Sequence, residues 1–431
     1  MTAKPKADSD KEEAEEKAPS SGDDENAEGK DPKPSDDSAY RGAQPSGRAG
    51  RKPAPTIWQR ATYRWTAITT VMAALLVIYT QHPYYQNQQF APFRPYYTGA
   101  FILWLVLGLP YCKVTLEKFG ARRYQVRDGG LHLIMLAKAF QEKKFWRRAK
   151  NPRVRTTILG ILVKGFFTPL MTGFLAGHLN SASRAWLQHK HLPPIDIAVP
   201  KGASSLKAFT IWWQTMVARV PDLVPSASDF SGFFQFWNWT RADMNWGFGL
   251  AYDIVFIVDC GWALFGYSTE SRWIGNKTRS VEPTAFGWAI CICCYPPFNN
   301  VLGTYLPLEH GPMRITDPNW QLAFRGMTVF LFAIYASATV AFGFRFSNLT
   351  NRGIVSRGPY RFVRHPAYLC KCMAWWLEHI PTMTLPKAFF LTLLCGVYSL
   401  RAWTEERHLS KDPDYVAYKK KTPWILIPGV Y

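Results

Sequence analysis

A chain of 431 residues has room for two or three soluble domains, but 48% of its residues are hydrophobic and 18 are tryptophan, which argues against that organisation. Its formal net charge of +20 suits nucleic acid, anionic lipid or an anionic substrate. Because the basic residues flank apolar stretches rather than form a separate basic domain, membrane lipids are the predicted partner and nucleic acid is not.

Residues 1–55 are predicted to form a disordered tail. Residues 1–40 contain 13 Asp and Glu against 6 Lys and Arg, and the charge turns basic near Arg41. The tail has almost no large apolar side chains, so it cannot bury enough surface to offset the entropy lost on ordering. The remainder is divided into membrane helices over residues 56–344, with a basic loop and an outer segment, and a C-terminal region over residues 345–431.

Two apolar spans follow the tail, over residues 65–80 and 97–114, each near the roughly 20 residues that a helix needs to cross a bilayer. The stretch from Lys118 to Arg155 is strongly basic. The positive-inside rule places such a loop in the cytoplasm. Because two spans separate this loop from the N-terminus, the N-terminus is predicted to be cytoplasmic as well.

A third span is predicted over residues 157–177 and a fourth over residues 246–267. The mixed segment between them, residues 178–245, is interpreted as partly interfacial helix on the outer face. Asp253 and Asp259 lie on the fourth span, where a spacing of six residues turns them about 120° apart, so they do not form a paired carboxylate site. Each is either a functional acid or a polar contact between helices.

The next apolar block begins near Thr284 and is interrupted by prolines, which predicts a kinked or re-entrant helix. A sixth span over residues 327–344 brings the chain to the cytoplasmic side, where the C-terminal region begins. Two stretches within that region, residues 369–380 and 385–398, are each short for a full crossing, so a helical hairpin is predicted.

All of these elements are helical, and the predicted fold class is therefore all-α, a polytopic transmembrane helical bundle. Nearly all eight cysteines lie within or beside apolar segments. Cys291, Cys293 and Cys294 have no histidine or second cysteine pair at ligand spacing nearby, so no metal site is predicted.

The segment from Arg357 to Tyr368 reads Arg-Gly-Pro-Tyr-Arg-Phe-Val-Arg-His-Pro-Ala-Tyr. Pro366 suits the first position of a helix, which makes His365 its cap residue. The free amides of that first turn lie beside three arginines: Arg357, Arg361 and Arg364. Such a cluster can hold a carboxylate or phosphate, but a basic loop against lipid phosphates accounts equally well for the charges.

Further along, Arg401 and Glu405 are four residues apart and share a helix face, while Glu406 is turned about 100° away. Taken alone, the pair is more readily interpreted as a surface ion pair of little energetic value. Near the end, Tyr415 and Tyr418 share one helical face, and prolines then extend the chain into an aromatic strap. The strap either covers a cofactor or anchors the chain at the membrane interface.

In this order the motifs resemble the C-terminal region of the isoprenylcysteine carboxyl methyltransferase family and its phospholipid methyltransferase relatives. The resemblance covers residues 345–431, about one fifth of the chain. The shared elements are Ser347-Asn348-Leu349, Arg352-Gly353, Gly358-Pro359-Tyr360, Arg364-His365-Pro366-x-Tyr368, Arg401-x-x-x-Glu405-Glu406, and Tyr415-x-x-Tyr418 followed by a proline segment. The ordered set is much more specific than any one of its members.

The resemblance implies a membrane enzyme whose C-terminal region binds S-adenosyl-L-methionine at the cytoplasmic face. It implies that Arg401 and Glu405 are catalytic. The implied cofactor-binding residues are Tyr360, Arg364, His365, Pro366, Tyr368, Glu406, Tyr415 and Tyr418. The implied acceptor is lipidic or prenylated, with isoprenylcysteine carboxylate ahead of a lipid headgroup or another small hydrophobic molecule. Two alternatives remain open: an NADPH-dependent enzyme like the sterol reductases, and a non-enzymatic membrane transporter or scaffold.

Overall fold

The computed structural model describes residues 55–86, 94–119, 136, 139–195, 200, 203–226, 229, 231, 238–271, 273–299 and 312–430. The tail predicted over residues 1–55 lies outside this part of the chain except for its last residue. The described residues are almost entirely helical. The sheet found among them is a single antiparallel pair, β1 (Ser280–Val281) with β2 (Thr350–Asn351). The predicted all-α fold is confirmed.

The helices of this part of the chain are numbered here in order. They are α1 (Ile57–Gln81), α2 (Arg94–Phe119), α3 (Phe145–Ala149), α4 (Pro152–His189), α5 (Ser205–Leu223), α6 (Arg241–Ser268), α7 (Ala285–Ile292), α8 (Pro318–Phe342), α9 (Pro366–His379), α10 (Leu385–Leu409) and α11 (Pro413–Lys421). Six of them are long and apolar enough to cross a membrane: α1, α2, α4, α6, α8 and α10. The chain is therefore a multi-pass membrane protein.

Helix α4 is 38 residues long and continues well past the predicted end of the third span at Gly177. The end of the span at Gly177 stays a prediction, because a helix can continue beyond the bilayer, and this helix includes His178. The Nδ1 of His178 lies 2.9 Å from the Asp253 carboxylate of α6, so the helix continues with its polar group paired. The segment interpreted as interfacial then contains α5, whose N-terminus is capped by the Ser204 hydroxyl.

Helix α10 corrects the prediction that the stretch at residues 385–398 is too short to cross a bilayer. The helix runs on to Leu409 because polar side chains in its last turns, including Arg401, Thr404 and Glu406, are buried against partners instead of ending the helix. The interrupted block near Thr284 is confirmed as broken, since α7 has only eight residues. The block's later part, residues 300–311, lies outside the described residues.

The bundle is held together by contacts of α4 and α8 with α6, of α8 with α9, and of α1 with α2. Its largest buried cluster includes Phe167 of α4 stacked on Tyr267 of α6, with ring centroids 4.8 Å apart. The two acids of α6 bind different neighbours, as their helical spacing predicts. Asp253 pairs with α4, whereas Asp259 accepts hydrogen bonds from Tyr335 (3.0 Å) and Thr339 of α8. The acids thus tie α6 to two helices.

The C-terminal end of α6 holds the segment that enters the C-terminal region. A methyl group at Gly266 would lie 2.2 Å from the carbonyl oxygen of Phe346, so only glycine permits this approach. The guanidinium of Arg352 donates a 2.5 Å hydrogen bond to the carbonyl oxygen of Gly266. The segment from Phe346 to Arg352, which lines the cavity described below, is therefore fixed by backbone contacts to α6.

Gly266→Ala is expected to destabilise the protein by about 1–3 kcal/mol because the added methyl group must displace the backbone. The matched control is Gly261→Ala on the same helix, where the nearest atom to the new methyl group is a leucine methyl 4.0 Å away. The control should be neutral or slightly stabilising, since alanine is the better helix former. Thermal unfolding of both purified variants measures the difference, and equal melting temperatures would contradict the proposed clash.

Candidate active site

The segment between α8 and α9 makes a short turn that places an aromatic ring under the C-terminal helix. Residues Gly358–Arg361 form a 3₁₀ turn that starts with Gly358 at φ +61°, a conformation that favours glycine. The Tyr360 side chain is buried, with its ring edge against Phe342. The Tyr418 hydroxyl of α11 donates a 2.7 Å hydrogen bond to the Tyr360 carbonyl oxygen. The turn and α11 are therefore directly joined.

The start of α9 is as the sequence predicts, with Pro366 in its first turn and His365 as its cap residue. The backbone amides before the helix are used by the C-terminal strap rather than by an anion. Arg364 N donates to the Trp424 carbonyl oxygen and His365 N to that of Ile425, both at 2.9 Å. The C-terminal strap is therefore bound to this turn by backbone hydrogen bonds.

A buried ion pair joins the turn to α10. Arg364 Nε lies 2.7 Å from Glu406 Oε1, and the two side chains are 5% and 7% exposed. The same guanidinium donates to the carbonyl oxygens of Thr422 (2.8 Å) and Pro423 (2.5 Å). Arg364 is therefore satisfied on all sides and connects α10, the turn and the strap.

The Glu406 carboxylate also contacts Tyr415, His365 and Lys419. The Tyr415 hydroxyl donates to Oε1 at 2.5 Å, and His365 Nε2 lies 3.2 Å from it, while Lys419 Nζ is 3.1 Å from Oε2. Burial, together with the Glu406 charge, raises the pKa of the Tyr415 phenol far above its usual range, so Tyr415 stays protonated as a donor. Glu406 therefore holds α11 against α10 through Tyr415 and Lys419.

Glu405 points in a different direction, as a rotation of about 100° per residue requires. It accepts a 2.5 Å hydrogen bond from the Tyr368 hydroxyl, and its other oxygen lies 3.8 Å from His365 Nδ1. The His365 and Tyr368 rings are stacked with centroids 5.4 Å apart. His365 therefore lies between the carboxylates of Glu405 and Glu406, which have different hydrogen-bond partners.

Arg401 is the cation beside Glu405 and is only 3% exposed. Its guanidinium carbon lies 5.1 Å from the Tyr368 ring centroid and 5.3 Å from that of Tyr295, within the range of cation–π attraction. Its hydrogen bonds are long: 3.4 Å to Glu405 Oε1, and 3.4 Å and 3.5 Å to the Tyr295 hydroxyl. The interpretation as a surface ion pair was wrong, because the pair borders a cavity within the protein.

That cavity has an empty volume of about 1230 Å³, including the part open to solvent, and lies where the Arg364–Tyr368 turn meets α10 beneath α11. Eight of the ten residues singled out from the sequence line it: Tyr360, Arg364, His365, Tyr368, Arg401, Glu405, Tyr415 and Tyr418. Pro366 and Glu406 do not. The structure therefore brings the motifs together around one cavity. Glu406 does not line this cavity and pairs with Arg364, which does.

One wall of the cavity carries polar atoms without partners. Glu282 Oε2 and His408 Nδ1 are buried and accept or donate no hydrogen bond within the described residues, although they lie 3.6 Å apart. The other Glu282 oxygen is bound by Thr284 and by Arg407 Nη2, the latter at 3.1 Å. Buried polar atoms left open at a cavity are candidate ligand contacts.

The closing helix α11 is attached at its start by Asp412. Its carboxylate accepts hydrogen bonds from Asn351 (2.6 Å) and Arg279 (2.9 Å), next to the β1–β2 pair. Burial alone would raise the pKa of Asp412, but these two donors hold it below its usual value. Asp412 also caps α11 by accepting from the Asp414 amide.

The attachment of α11 is therefore expected to depend on pH. A carboxyl group whose pKa is lower in the folded state stabilises that state above its unfolded pKa of about 3.9 and loses the contribution as the pH falls. Hydrogen-exchange protection of the α11 amides, corrected for intrinsic rates, should thus fall as the pH drops below about 4. Asp412→Asn should weaken this protection at neutral pH and reduce the pH effect. Unchanged protection in this variant at neutral pH would contradict the role of Asp412.

Besides Glu282 and His408, two further residues of interest that line the cavity were missed in the sequence, Tyr295 and Lys371. Tyr295 follows α7 in the proline-broken block, and its hydroxyl contacts both Arg401 and the Asn348 side-chain amide, the latter at 2.8 Å. Lys371 follows Tyr368 by one helical turn. The sequence signal for Lys371 was the presence of a lysine within the apolar stretch 369–380. No local sequence signal marks Tyr295.

Comparison with known proteins gives one match. Residues 323–411 match the model of the isoprenylcysteine carboxyl methyltransferase (ICMT) family. No curated protein and no solved structure matches the chain significantly. The matched residues include α9 and α10 and most of the cavity-lining motifs. The chain therefore carries a domain of the isoprenylcysteine carboxyl methyltransferase family in its C-terminal part, and this domain together with the six apolar helices supports a membrane methyltransferase.

Proposed function

We propose that the protein transfers a methyl group from S-adenosyl-L-methionine to a lipidic acceptor, with an isoprenylcysteine carboxylate as the first candidate and a lipid headgroup as the second. The observation that carries this proposal is the cavity between the Arg364–Tyr368 turn and α10. Eight of the ten site residues implied by the resemblance line it, and Arg401 and Glu405 lie side by side on its wall.

The chemistry of the lining fits this cofactor. Aromatic rings of Tyr360, Tyr368 and Tyr415 offer faces for a purine and for a sulfonium cation. The open atoms of Glu282 and His408 offer hydrogen bonds to hydroxyl or amino groups. We assign cofactor contacts to Tyr360, His365, Tyr368, Tyr415 and Tyr418. Arg364 and Glu406 would then act by fixing these residues in place.

When bound, S-adenosyl-L-methionine supplies a methyl group activated by the positive charge on sulfur. Arg401 would orient an acceptor carboxylate through its planar fork of donors, and Glu405 would hold Arg401 and Tyr368 in place. A carboxylate acceptor is already ionised at neutral pH and needs no general base. Burial of the site would exclude water and align the reacting atoms.

We also propose that this site faces the cytoplasm. The end of the basic loop lies at the same end of the bundle as the cavity, because Arg155 at the start of α4 donates a 2.7 Å hydrogen bond to the Pro283 carbonyl oxygen. On that side Trp273 Nε1 also donates to Thr115, near the end of α2. Basic loops remain in the cytoplasm, so the positive-inside rule supports this orientation.

The test is incubation of the purified protein with radiolabelled S-adenosyl-L-methionine and native membranes. We expect label on extractable lipid or on prenylated protein, and the fraction that carries it identifies the acceptor class. Equilibrium binding of S-adenosyl-L-methionine and of NADPH is measured in parallel. Binding of NADPH without S-adenosyl-L-methionine would replace this proposal with a reductase, and binding of neither would favour a transporter or scaffold.

A further inference from the structure

Lys371 places a positive charge in the cavity. It lies on α9 one turn after Tyr368, so the two side chains share a helix face. Its ammonium nitrogen is 5.1 Å from the Trp375 ring centroid, 5.2 Å from that of Tyr398 and 5.8 Å from that of Tyr335. Three aromatic rings therefore surround the ammonium group and attract its charge. Burial and the charge of Arg401 nevertheless lower the pKa of Lys371, so an anion bound beside it would stabilise the charged form.

The ammonium group of Lys371 has no acceptor among the described residues: none takes a hydrogen bond from it, and no carboxylate lies within 4 Å. Two other lysines of the helices are satisfied. Lys164 donates to the Tyr267 carbonyl oxygen at 2.9 Å, and Lys387 donates to the Thr382 hydroxyl at 2.6 Å. An ammonium group has three donors, and no described residue accepts a hydrogen bond from those of Lys371, which lines the cavity.

The nearby acids do not supply these acceptors. Asp259 is occupied by the hydroxyl groups of Tyr335 and Thr339, and Glu405 by Tyr368 and Arg401. They balance the charge of the site at a distance without filling the donors of Lys371. Burying a polar group without a hydrogen bond is costly, and because no described residue supplies an acceptor, these donors are open to oxygen atoms of water or of a ligand.

The guanidinium of Arg401 makes long hydrogen bonds, in contrast to that of Arg364. The Arg364 guanidinium makes bonds of 2.5–2.8 Å to a carboxylate and two carbonyl oxygens, as expected of a structural arginine. The hydrogen bonds of Arg401 to Glu405 and to the Tyr295 hydroxyl are 3.4–3.5 Å long. Both loosely held cations, Lys371 and Arg401, line the same cavity and lie around the Tyr368 and Tyr398 rings, whose centroids are 5.7 Å apart.

We propose that Lys371 and Arg401 together bind the anionic head of the methyl acceptor, so the substrate class is an amphiphile that ends in a carboxylate or a phosphate. This inference rests on the proposed function, and it adds a specificity-determining residue to it. An anionic head satisfies the open donors of both cations. An amine acceptor would meet two positive charges and a neutral alcohol would leave most donors unfilled, so both are disfavoured.

The experiment compares ligands that share a hydrophobic chain but differ in the charge of the head group. One pair is N-acetyl-S-farnesylcysteine and its primary amide; the other is dodecyl phosphate and dodecanol. Dissociation constants are measured for the full-length protein, for Lys371→Met, which keeps the length of the side chain without its charge, and for the control Lys420→Met. Lys420 is exposed on α11 and does not line the cavity.

We expect the unaltered protein to prefer at least one anion over its neutral partner, and the preferred pair separates a carboxylate acceptor from a phosphate acceptor. Lys371→Met should weaken binding of that anion at least tenfold, with less than a twofold change for the neutral partner. Lys420→Met should change neither. Lack of any anion preference in the unaltered protein, or an equal loss for both members of a pair, would overturn the inference.

S-adenosyl-L-methionine affinity is measured on the same proteins to separate the two proposals. If Lys371→Met weakens S-adenosyl-L-methionine binding rather than anion binding, Lys371 contacts the cofactor and the acceptor assignment is overturned. If the unaltered protein binds the anion but no S-adenosyl-L-methionine, the proposed function fails while Lys371 is still shown to bind anions. Both proposals are supported if Lys371→Met retains its affinity for S-adenosyl-L-methionine and loses the preference for the anion.

Discussion

Arg401→Ala is expected to lower the turnover number at least about a hundredfold, in the range found when one preorganised donor is removed from an active site. The reason is that the variant removes the guanidinium that faces the cavity between the Tyr295 and Tyr368 rings. Affinity for S-adenosyl-L-methionine should change much less than turnover, because the residues assigned to the cofactor remain. Methyl transfer to the acceptor fraction found with native membranes measures the effect.

The matched control for this variant is Arg361→Ala. Arg361 belongs to the same basic segment as Arg364 but is exposed and does not line the cavity. It should retain nearly full turnover. Glu405→Gln, which removes charge at constant size, should also reduce turnover while leaving the melting temperature close to that of the unaltered protein. Turnover of Arg401→Ala within fivefold of the unaltered protein would remove Arg401 from the catalytic assignment.

Glu406→Ala should have its largest effect on stability. It leaves the buried Arg364 guanidinium without its carboxylate and removes the acceptor of the Tyr415 hydroxyl. Breaking a buried ion pair from one side costs about 3–5 kcal/mol because an uncompensated charge remains in the interior. We therefore expect a large fall in melting temperature and release of α11, seen as faster hydrogen exchange at residues 413–421.

A double variant tests whether the loss comes from the unpaired charge. Arg364→Met combined with Glu406→Met leaves no buried charge at this place, so it should recover part of the stability that either single variant loses. Glu405→Ala is the neighbouring control, and its effect on stability should be smaller, since Glu405 is more exposed than Glu406. Equal destabilisation by Glu405→Ala and Glu406→Ala would contradict the separation of roles.

Helical geometry in the sequence was sufficient to separate some pairs of acids. A spacing of six residues predicted that Asp253 and Asp259 do not form a paired carboxylate site, and a spacing of one predicted that Glu405 and Glu406 diverge. The partners of these acids were not available from spacing. His178, Tyr335 and Arg364 come from other helices or turns, and only the packing of the bundle brings them to these carboxylates.

Helix lengths were harder to predict from the sequence than helix positions. The apolar stretch at residues 385–398 was interpreted as short for a full crossing, whereas α10 runs to Leu409 and is long enough to cross a bilayer. Polar side chains in its last turns are buried against partners from other parts of the fold, which spacing along the chain does not reveal. Lys371 was missed for the related reason that its surroundings are three aromatic rings from separate parts of the fold.

The divergence of Glu405 and Glu406 also restricts which changes in chain length the fold can accept. One residue inserted in α10 ahead of Leu400 would move every later residue by one position, a rotation of about 100°. Glu405 would then take the position of Glu406 beside Arg364, and Leu400 and Thr404 would replace Arg401 and Glu405 at the cavity wall. We expect insertions and deletions among related chains to fall in the connections on either side of α10, and lipid-facing positions such as Leu400 to vary in side chain but not in number.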